Sequence, residues 1–403
     1  MARGVNGTTG ATTGGAPEDG ASERRAPAGL PPRPGRATWI EIDLDALAHN
    51  LRVVRAHLSG ARVMAVVKAD AYGHGAPAIA QRLQREGADW LGVSLVEEGI
   101  ELRAAGIRLP ILVLAGFAPR QAEALLDHNL TPALFRLDQV AALDDAAARR
   151  GRTAEAHVKI DTGMGRLGLP AAQAGAFAER LKLAHALNIT GAFSHFPSAD
   201  TPGDASTARQ TQAFLMAVSA LKAAGLAPSD LHLANSPAIL DHRATWMSLA
   251  RPGLLLYGYH PDGCVKTLAV RPVLSLRSAV VDLRDLQAGD TVGYGRTFKA
   301  PGPVRIATLG IGYADGLPRA AGNHAEVLLA GQRAPIVGRI SMDLTTIDVT
   351  AMPQTAIGDV ATVIGDQEGV RLGADVLARA CGTIPWEILA RLGPRLPRRH
   401  VGI

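Results

Sequence analysis

Short apolar runs alternate with helix-like segments between residues 62 and 257. The runs are candidate strands at residues 62–67, 90–94, 111–114, 131–135, 156–160, 190–194, 231–234 and 253–257. Segments between them, such as "APAIAQRLQREG", carry apolar residues at helical spacing. Strands that alternate with helices predict crossover connections and a parallel sheet. Eight such units over about 220 residues match the number and size of a closed (β/α)8 barrel.

An open, doubly wound sheet is the structural alternative for this alternation. Such a sheet normally has a Gly-x-Gly-x-x-Gly turn after its first strand. The segment at that place is "KADAYGHG", which lacks the spacing. We therefore predict the barrel.

The pattern changes near residue 265, where helix-like segments give way to β-rich runs separated by Gly, Pro and Asp. We predict a barrel over residues 44–264 and a mainly antiparallel β domain over residues 265–403, with a short helical piece near residues 373–392. The strand-like segment 37–43 precedes the barrel, and we expect it to join the β domain.

Residues 1–36 are rich in Gly, Ala, Pro, Thr and Ser, and a segment of this composition is expected to be a disordered tail. It lacks the apolar core of a secretory signal. Elsewhere no apolar run is long enough for a membrane span, and the only two cysteines, Cys264 and Cys381, fit a reducing compartment. We expect a cytoplasmic protein. Few aromatic residues accompany the basic C-terminal segment, which argues against a nucleic-acid partner.

Lys68 directly follows the apolar run 63–67, and three roles are open for a lysine at this place. An exposed loop lysine is one interpretation. A phosphate-binding lysine is a second, although the phosphate-loop spacing is missing. The third is an amine that forms a Schiff base with a carbonyl compound.

Other polar residues follow the remaining predicted strands, and functional side chains of such barrels lie at these carboxyl ends. They are Tyr72, Lys159, Asp161, Arg166, His195, Asn235, Ser236, Arg251, Gly253 and Tyr257. Ser236 either caps the next helix or binds a phosphate, and Gly253 permits close approach of a ligand. Barrels often bind phosphate after strands seven and eight. A phosphorylated aldehyde that joins this place to an amine on the first strand is pyridoxal 5'-phosphate.

Residues 38–400 resemble the pyridoxal-phosphate-dependent alanine racemases of the barrel type. The resemblance rests on "AVVKADAYGHG", "VKIDTGMGRLG", "SHF", "ANS", "RPGLLLYG", "VGYGRTF", "GIGYADG", "GRISMD" and "EILARLGPRLPRR". It implies that Lys68 carries the cofactor and that Arg251 meets the pyridine nitrogen. The phosphate would be bound by Tyr72, Ser236, Gly253 and Leu254, with Trp386 close by.

The resemblance also implies racemisation by two bases, Lys68 and Tyr294, with Tyr294 reaching the cavity of the other subunit in a homodimer. Arg166 and Met342 would bind the substrate. Supporting positions are Lys159, which is often carbamylated in the family, together with His195, Asn235, Tyr313 and Asp343. No metal site is implied.

Three positions depart from the family pattern and bear on pocket shape and substrate range. Trp386 stands where tyrosine is usual, Leu317 where an aromatic is usual, and Ser341 where cysteine is frequent. The implied function is interconversion of L-alanine and D-alanine, supplying D-alanine for peptidoglycan. The alternatives are a broader racemase that also accepts serine, a decarboxylase on the same barrel, and a non-catalytic pyridoxal-phosphate carrier.

Overall fold

A computed structural model describes residues 35–402 of the chain, so residues 1–34 of the expected tail lie outside the described part. The structure contains a parallel β-barrel and a second, mainly antiparallel sheet. The first strand, β1 (Thr38–Asp43), belongs to the second sheet. Helix α1 (Leu44–Leu58) then leads to the barrel; the Asp43 carboxylate accepts the Ala46 N–H at 2.8 Å and caps its first turn.

The barrel consists of eight parallel strands, each ending near one rim. They are β2 (Arg62–Val66), β3 (Trp90–Val93), β4 (Ile111–Val113), β5 (Thr131–Leu134), β6 (Ala154–Asp161), β8 (Leu187–Phe193), β9 (Asp230–His232) and β10 (Leu249–Ala250); a short β7 (Leu169–Pro170) pairs with β6. The ring closes between β9 and β10, where the Ser248 N–H donates to Leu231 O at 3.2 Å and the Arg251 N–H donates to Ala234 O at 2.8 Å. The predicted (β/α)8 barrel is confirmed.

Helices surround the barrel and cover its outer face. They are α3 (Ala76–Arg85), α4 (Val96–Ala104), α5 (Ala122–Asp127), α6 (Leu137–Arg149), α7 (Ala174–Leu181), α8 (Ser206–Ala223) and α9 (Ser236–Asp241), in addition to α1. The six-residue turn α2 (Lys68–Gly73) stands between β2 and α3. No helix within residues 35–402 is long and apolar enough to cross a membrane.

The predicted eighth strand, residues 253–257, is wrong. The eighth strand of the barrel is β10, which ends at Ala250, before the predicted segment begins. Leu254–Tyr257 form a 3-10 helix instead. All four of its side chains are buried, and the Asn50 amide on α1 donates to Leu256 O at 2.9 Å. A short apolar run reads alike for a buried strand and a buried helical turn, which explains the error.

The second sheet is built on the long strand β11 (Leu274–Leu286), which pairs antiparallel with β1, β14 and β18. The other elements of this domain are β12 (Thr291–Val292), β13 (Phe298–Lys299), β14 (Val304–Leu309), β15 (Glu326–Leu329), β16 (Gln332–Pro335), β17 (Thr345–Asp348), β18 (Val360–Gln367), β19 (Val370–Leu372), α10 (Ala374–Cys381), α11 (Pro385–Ala390) and β20 (Arg398–Val401). Strand β1 lies between β11 and β20 and runs parallel to β20. The N-terminal strand thereby ties the β domain to the start of the barrel. The predicted mainly antiparallel C-terminal domain is confirmed.

Two buried histidines share the barrel interior with apolar side chains. His157 Nδ1 and His232 Nε2 are 2.9 Å apart, and the ring of Phe193 stacks on His232 at 4.7 Å between centroids. Burial lowers the pKa of His157 to about 3, and the charge of Arg62 adds to the lowering. Burial also holds the pKa of His232 well below its ordinary value. Both rings are therefore neutral in the folded protein at neutral pH.

We expect these neutral rings to make folding sensitive to acid. In the unfolded chain a histidine takes up a proton below about pH 6.5, whereas His157 stays neutral until about pH 3 in the folded state. Unfolding therefore binds protons in this window, and stability falls as the pH falls. His157→Leu should weaken this dependence of the urea midpoint between pH 7 and about pH 5. The exposed His185→Leu serves as the control; equal pH dependence in the two variants would contradict the assignment.

Candidate active site

A cavity of about 480 Å³ opens at the carboxyl ends of the barrel strands. Most of the predicted site residues line it, and each comes from the end of a strand or the loop behind it. These are Lys68, Tyr72, Lys159, Arg166, His195, Asn235, Ser236, Arg251, Gly253 and Leu254. The β domain contributes Ile384, which directly precedes helix α11, and Trp386 in the first turn of that helix, and these two complete the wall. The barrel therefore supplies nearly all of the polar groups, and the β domain narrows the opening.

The backbone after Lys68 forms a left-handed helical turn. Residues 69–72 have φ between 52° and 55° and ψ between 40° and 54°, although none of them is glycine. The left-handed conformation costs a non-glycine residue roughly 1–2 kcal/mol. Such a conformation persists only where surrounding contacts enforce it, and it is concentrated at functional sites. The turn places Lys68 at its beginning and Tyr72 at its end, and both face the cavity.

Burial lowers the pKa of the Lys68 amine, and the charges of Arg166 and Arg251 lower it further. The Glu98 carboxylate, which accepts the Ala69 N–H at 2.6 Å, acts in the opposite direction. A neutral amine is the form that attacks a carbonyl carbon. The surroundings of Lys68 therefore favour nucleophilic chemistry.

Lys159 is a second buried amine at the same rim. Its Nζ donates to Leu114 O at 2.8 Å and lies 5.5 Å from the centre of the Phe193 ring. Burial lowers its pKa to about 8, with further lowering by Arg251, Arg166 and Lys68. This pKa gives the Lys159 amine a reactive neutral fraction at neutral pH, and the three basic side chains around it would favour a group that brings negative charge.

The opposite side of the cavity offers groups that suit an anion. The Ser236 Oγ accepts the Gly253 N–H at 3.0 Å and the Leu255 N–H at 3.4 Å, so its own hydrogen remains free to donate. Ser236 is not the cap of helix α9; that role falls to Asn235, whose side chain accepts the Ala238 N–H at 3.2 Å. A Cβ added to Gly253 would lie 2.5 Å from the Tyr72 hydroxyl. The glycine is therefore required for close approach of the phenol.

Arg251 is buried at the floor of the cavity without a carboxylate partner. Its two Nη atoms donate to carbonyl oxygens of His232 (2.7 Å), Ser194 (2.6 Å) and Leu233 (2.9 Å), and to His232 Nδ1 at 2.9 Å. Within residues 35–402 no acceptor is found for its Nε–H. Burial lowers the pKa of Arg251 to about 9, which leaves the guanidinium charged at neutral pH.

His195 lies beside this guanidinium, with its Nδ1 3.5 Å from an Nη atom of Arg251. Burial, followed by the charges of Arg251 and Arg166, lowers the pKa of His195 to about 3. The ring is therefore a neutral, flat wall of the cavity at physiological pH.

Four predicted residues lie away from the cavity, on the surface of the β domain. Tyr294, Met342 and Tyr313 are 69%, 54% and 42% exposed, which is unusual for such large apolar side chains. Asp343 is also exposed and pairs with Arg395 at 2.6 Å. The loops of Tyr313 and Met342 are joined, because the Ala314 N–H donates to Met342 O at 3.0 Å. One chain alone does not bring these residues to Lys68.

The sequence interpretation missed His232 and misjudged Leu317. His232 holds Arg251 from inside the barrel, and the alternation of strand β9 is a signal that points it inward. Leu317 is only 1% exposed and packs in the core rather than in the cavity wall. Its difference from the family pattern is therefore a matter of core packing.

Comparisons with known proteins match most of the described chain. The family models "Alanine racemase, N-terminal domain" and "Alanine racemase, C-terminal domain" match residues 42–261 and 273–400. The alanine racemase of Syntrophobacter fumaroxidans is 42% identical over 369 residues, which are 91% of this chain and 98% of that protein.

Solved structures of alanine racemases are also similar to this chain. The alanine racemase from D-cycloserine-producing Streptomyces lavendulae has a TM-score of 0.88 at 36% identity, covering 92% of this chain and 98% of the other. The alanine racemase from Bartonella henselae with covalently bound pyridoxal phosphate has a TM-score of 0.82 at 30% identity, covering 90% and 99%.

Proposed function

The chain belongs to the alanine racemase family, and on this premise we propose that it interconverts L-alanine and D-alanine with pyridoxal 5'-phosphate bound in the barrel cavity. The observation that carries the proposal is the arrangement of that cavity, which has a pKa-lowered amine on one side and an anion-binding cradle on the other. The D-alanine product would serve peptidoglycan synthesis.

The residues present fit this cofactor. Ser236 has a hydroxyl hydrogen free for a phosphate oxygen, and Gly253 leaves the space that a phosphate and the Tyr72 phenol both need. Leu254 begins a 3-10 helix at the same place and adds a backbone N–H. The Nε–H of Arg251 is a free donor for a ring nitrogen, and Lys68 has the amine for a covalent link to an aldehyde. The Bartonella henselae relative has pyridoxal phosphate covalently bound.

Trp386 lines the same cavity from helix α11. Its indole N–H is a donor only, whereas the tyrosine usual at this position offers a hydroxyl. We assign Trp386 to the cofactor wall, where the larger ring limits the space left for a substrate side chain.

When bound, pyridoxal phosphate supplies an electron sink that makes the proton on the substrate's α-carbon removable. The Lys68 Nζ, whose pKa is lowered by burial and by the neighbouring arginines, would remove or return that proton on one face of the carbon. Arg166, at the open side of the cavity, holds the substrate carboxylate by charge. Arg251 is cationic at neutral pH, so its Nε–H would donate a hydrogen bond to a ring nitrogen placed there and would weaken the electron sink relative to a carboxylate at this position.

Racemisation requires a second base on the opposite face, and Tyr294 is our candidate. In its own chain the phenol is 69% exposed and does not line the cavity. We propose a homodimer in which Tyr294 of the partner subunit reaches the cavity, together with Met342 of the partner subunit. Tyr313 and Asp343 lie on loops beside Met342 and would border the path of the substrate. Dimer formation would also cover these exposed apolar side chains.

The match of residues 273–400 to the racemase C-terminal domain bears on the alternatives. A non-catalytic carrier resembles the barrel alone, and a decarboxylase has no use for a second base in "VGYGRTF". The carrier alternative therefore does not account for this domain, and the decarboxylase alternative does not account for a second base.

The proposal is tested by a chiral assay of the purified protein. Starting from either enantiomer of alanine, we expect conversion to an equal mixture, because enantiomers have the same free energy. Activity should be lost when the cofactor is removed and return when pyridoxal phosphate is added. Lys68→Ala should be inactive, while the exposed control Lys182→Ala keeps wild-type rates. Absence of racemisation by the cofactor-loaded wild type would refute the function.

Borohydride reduction tests the role of Lys68 separately. The cofactor-loaded protein is reduced, digested and analysed by mass spectrometry. We expect the pyridoxyl group on Lys68 and no label on Lys159, although the pKa of both amines is lowered, because only Lys68 stands at the start of the left-handed turn that also carries Tyr72. A label on Lys159 would instead reverse the two assignments.

Mixed dimers test the shared site. Lys68→Ala and Tyr294→Phe chains should each be inactive or slowed by ~10²–10⁴-fold, the usual contribution of a positioned base. After subunit exchange, one site of each mixed dimer contains both intact bases. A random equal mixture should therefore recover about a quarter of the wild-type sites. No recovery, despite exchange verified by mass spectrometry, would mean that each site is built from one chain.

A further inference from the structure

The left-handed turn α2 is fastened from outside the barrel by the last strand of the chain. We propose that Arg398 is a positioning residue that holds this turn in its left-handed form and thereby sets how tightly the cofactor is retained. The inference rests on the proposed function for its consequence, whereas the contacts that carry it belong to the protein alone.

Arg398 lies on β20 and its side chain is only 15% exposed. Its Nε–H donates to Gly73 O at 3.0 Å, at the end of the turn. One Nη atom lies 3.3 Å from Asp70 Oδ2, inside the turn. The guanidinium therefore contacts the turn at two points, one through a hydrogen bond and one through charge.

The other donors of Arg398 fix the guanidinium itself. They are directed at backbone oxygens of the segment before β20: Leu392 at 3.1 Å, Leu396 at 3.3 Å and Gly393 at 3.5 Å. A planar guanidinium held on several sides presents its remaining donors in a fixed geometry. Arg398 thus acts as a rigid bracket between the C-terminal segment and the turn.

Asp70 extends the bracket to the next helix. Its Oδ1 accepts the Ala76 N–H at 2.7 Å, at the start of α3, while Oδ2 faces Arg398. One carboxylate therefore joins the turn, the helix that follows it and the β domain.

Helix α11 closes the same side of the turn. A Cβ added to Gly73, which has φ of +79°, would lie 2.2 Å from Leu389 O. The backbone of α11 consequently packs directly against the turn, and the same helix carries Trp386 to the cavity.

The turn has little of its own to keep it left-handed. Ala69 and Ala71 offer no polar side chain, and the residues of "ADAY" prefer the right-handed region. Without Arg398 the turn should spend more time in other conformations. Because Lys68 and Tyr72 stand at its two ends, both would then leave their places against the cofactor.

The test compares Arg398→Met with Arg399→Met in the full-length protein. Arg399 is the matched control, since it is the next residue on β20 but stacks over the Trp39 ring at 4.8 Å. Three quantities are measured: the rate of cofactor loss from the holoenzyme to a scavenging amine, amide hydrogen exchange of residues 68–76, and the melting temperature. Loss of a hydrogen bond made by a charged group typically shifts an equilibrium by about tenfold or more, so we expect at least about tenfold faster cofactor loss from Arg398→Met. Exchange in residues 68–76 should also be faster, and Arg399→Met should match the wild type in both.

Asp70→Asn provides a second route to the same answer. It keeps an oxygen for the Ala76 N–H and removes the charge that faces Arg398, so its cofactor loss and local exchange should shift in the same direction. If Arg398→Met fails to fold, the Asp70→Asn variant still tests whether the contact with Arg398 holds the turn. Wild-type exchange and cofactor retention in the folded variants would overturn the proposal. If the wild type bound no cofactor, the proposed function would fail, while the exchange data would still decide whether Arg398 holds the turn.

Discussion

The electrostatic constraint at this site is that four basic side chains share one cavity. Lys68, Lys159, Arg166 and Arg251 converge on it, and among the described residues that line it only Asp200 is acidic. Their mutual repulsion, added to burial, lowers the pKa of both lysines. The same repulsion makes the cavity suited to a ligand with negative charges at two places, as a phosphate and a carboxylate provide.

The barrel tolerates this repulsion because the four side chains come from three separate strand ends. Lys68 follows β2 and Arg251 follows β10. Lys159 lies on β6 and Arg166 in the loop behind it, so the backbone hydrogen bonds of the barrel hold the three groups apart and in place. The guanidinium of Arg251 is also fixed by its own hydrogen bonds. Four of its donors are spent on protein acceptors, which leaves one direction open for a ligand. Its place and orientation are settled before anything binds.

The sequence indicated the barrel and the residues around its rim, because strand-helix alternation and the polar residues after each strand are local signals. It did not indicate the left-handed turn, since "ADAY" has no glycine at any of the four positions. The contacts that hold the turn include Glu98 and, over 300 positions away, residues 389 and 398. The eighth strand was misplaced for a related reason, because burial made the 3-10 helix as apolar as a strand. The roles of Tyr294 and Met342 came only from resemblance. In one chain these side chains simply face outward.

The two histidines inside the barrel have a consequence for how hydrogen atoms are arranged there. A guanidinium can only donate, so the contact of Arg251 with His232 Nδ1 makes that nitrogen the acceptor and places the ring's hydrogen on Nε2. His232 must then donate to His157 Nδ1, which places the hydrogen of His157 on its Nε2. The Nε2–H of His157 has no partner within the described residues. The row from cavity floor to barrel core is therefore polarised in a single sense, with every N–H pointing inward, and reversing one ring would leave two acceptors or two donors face to face.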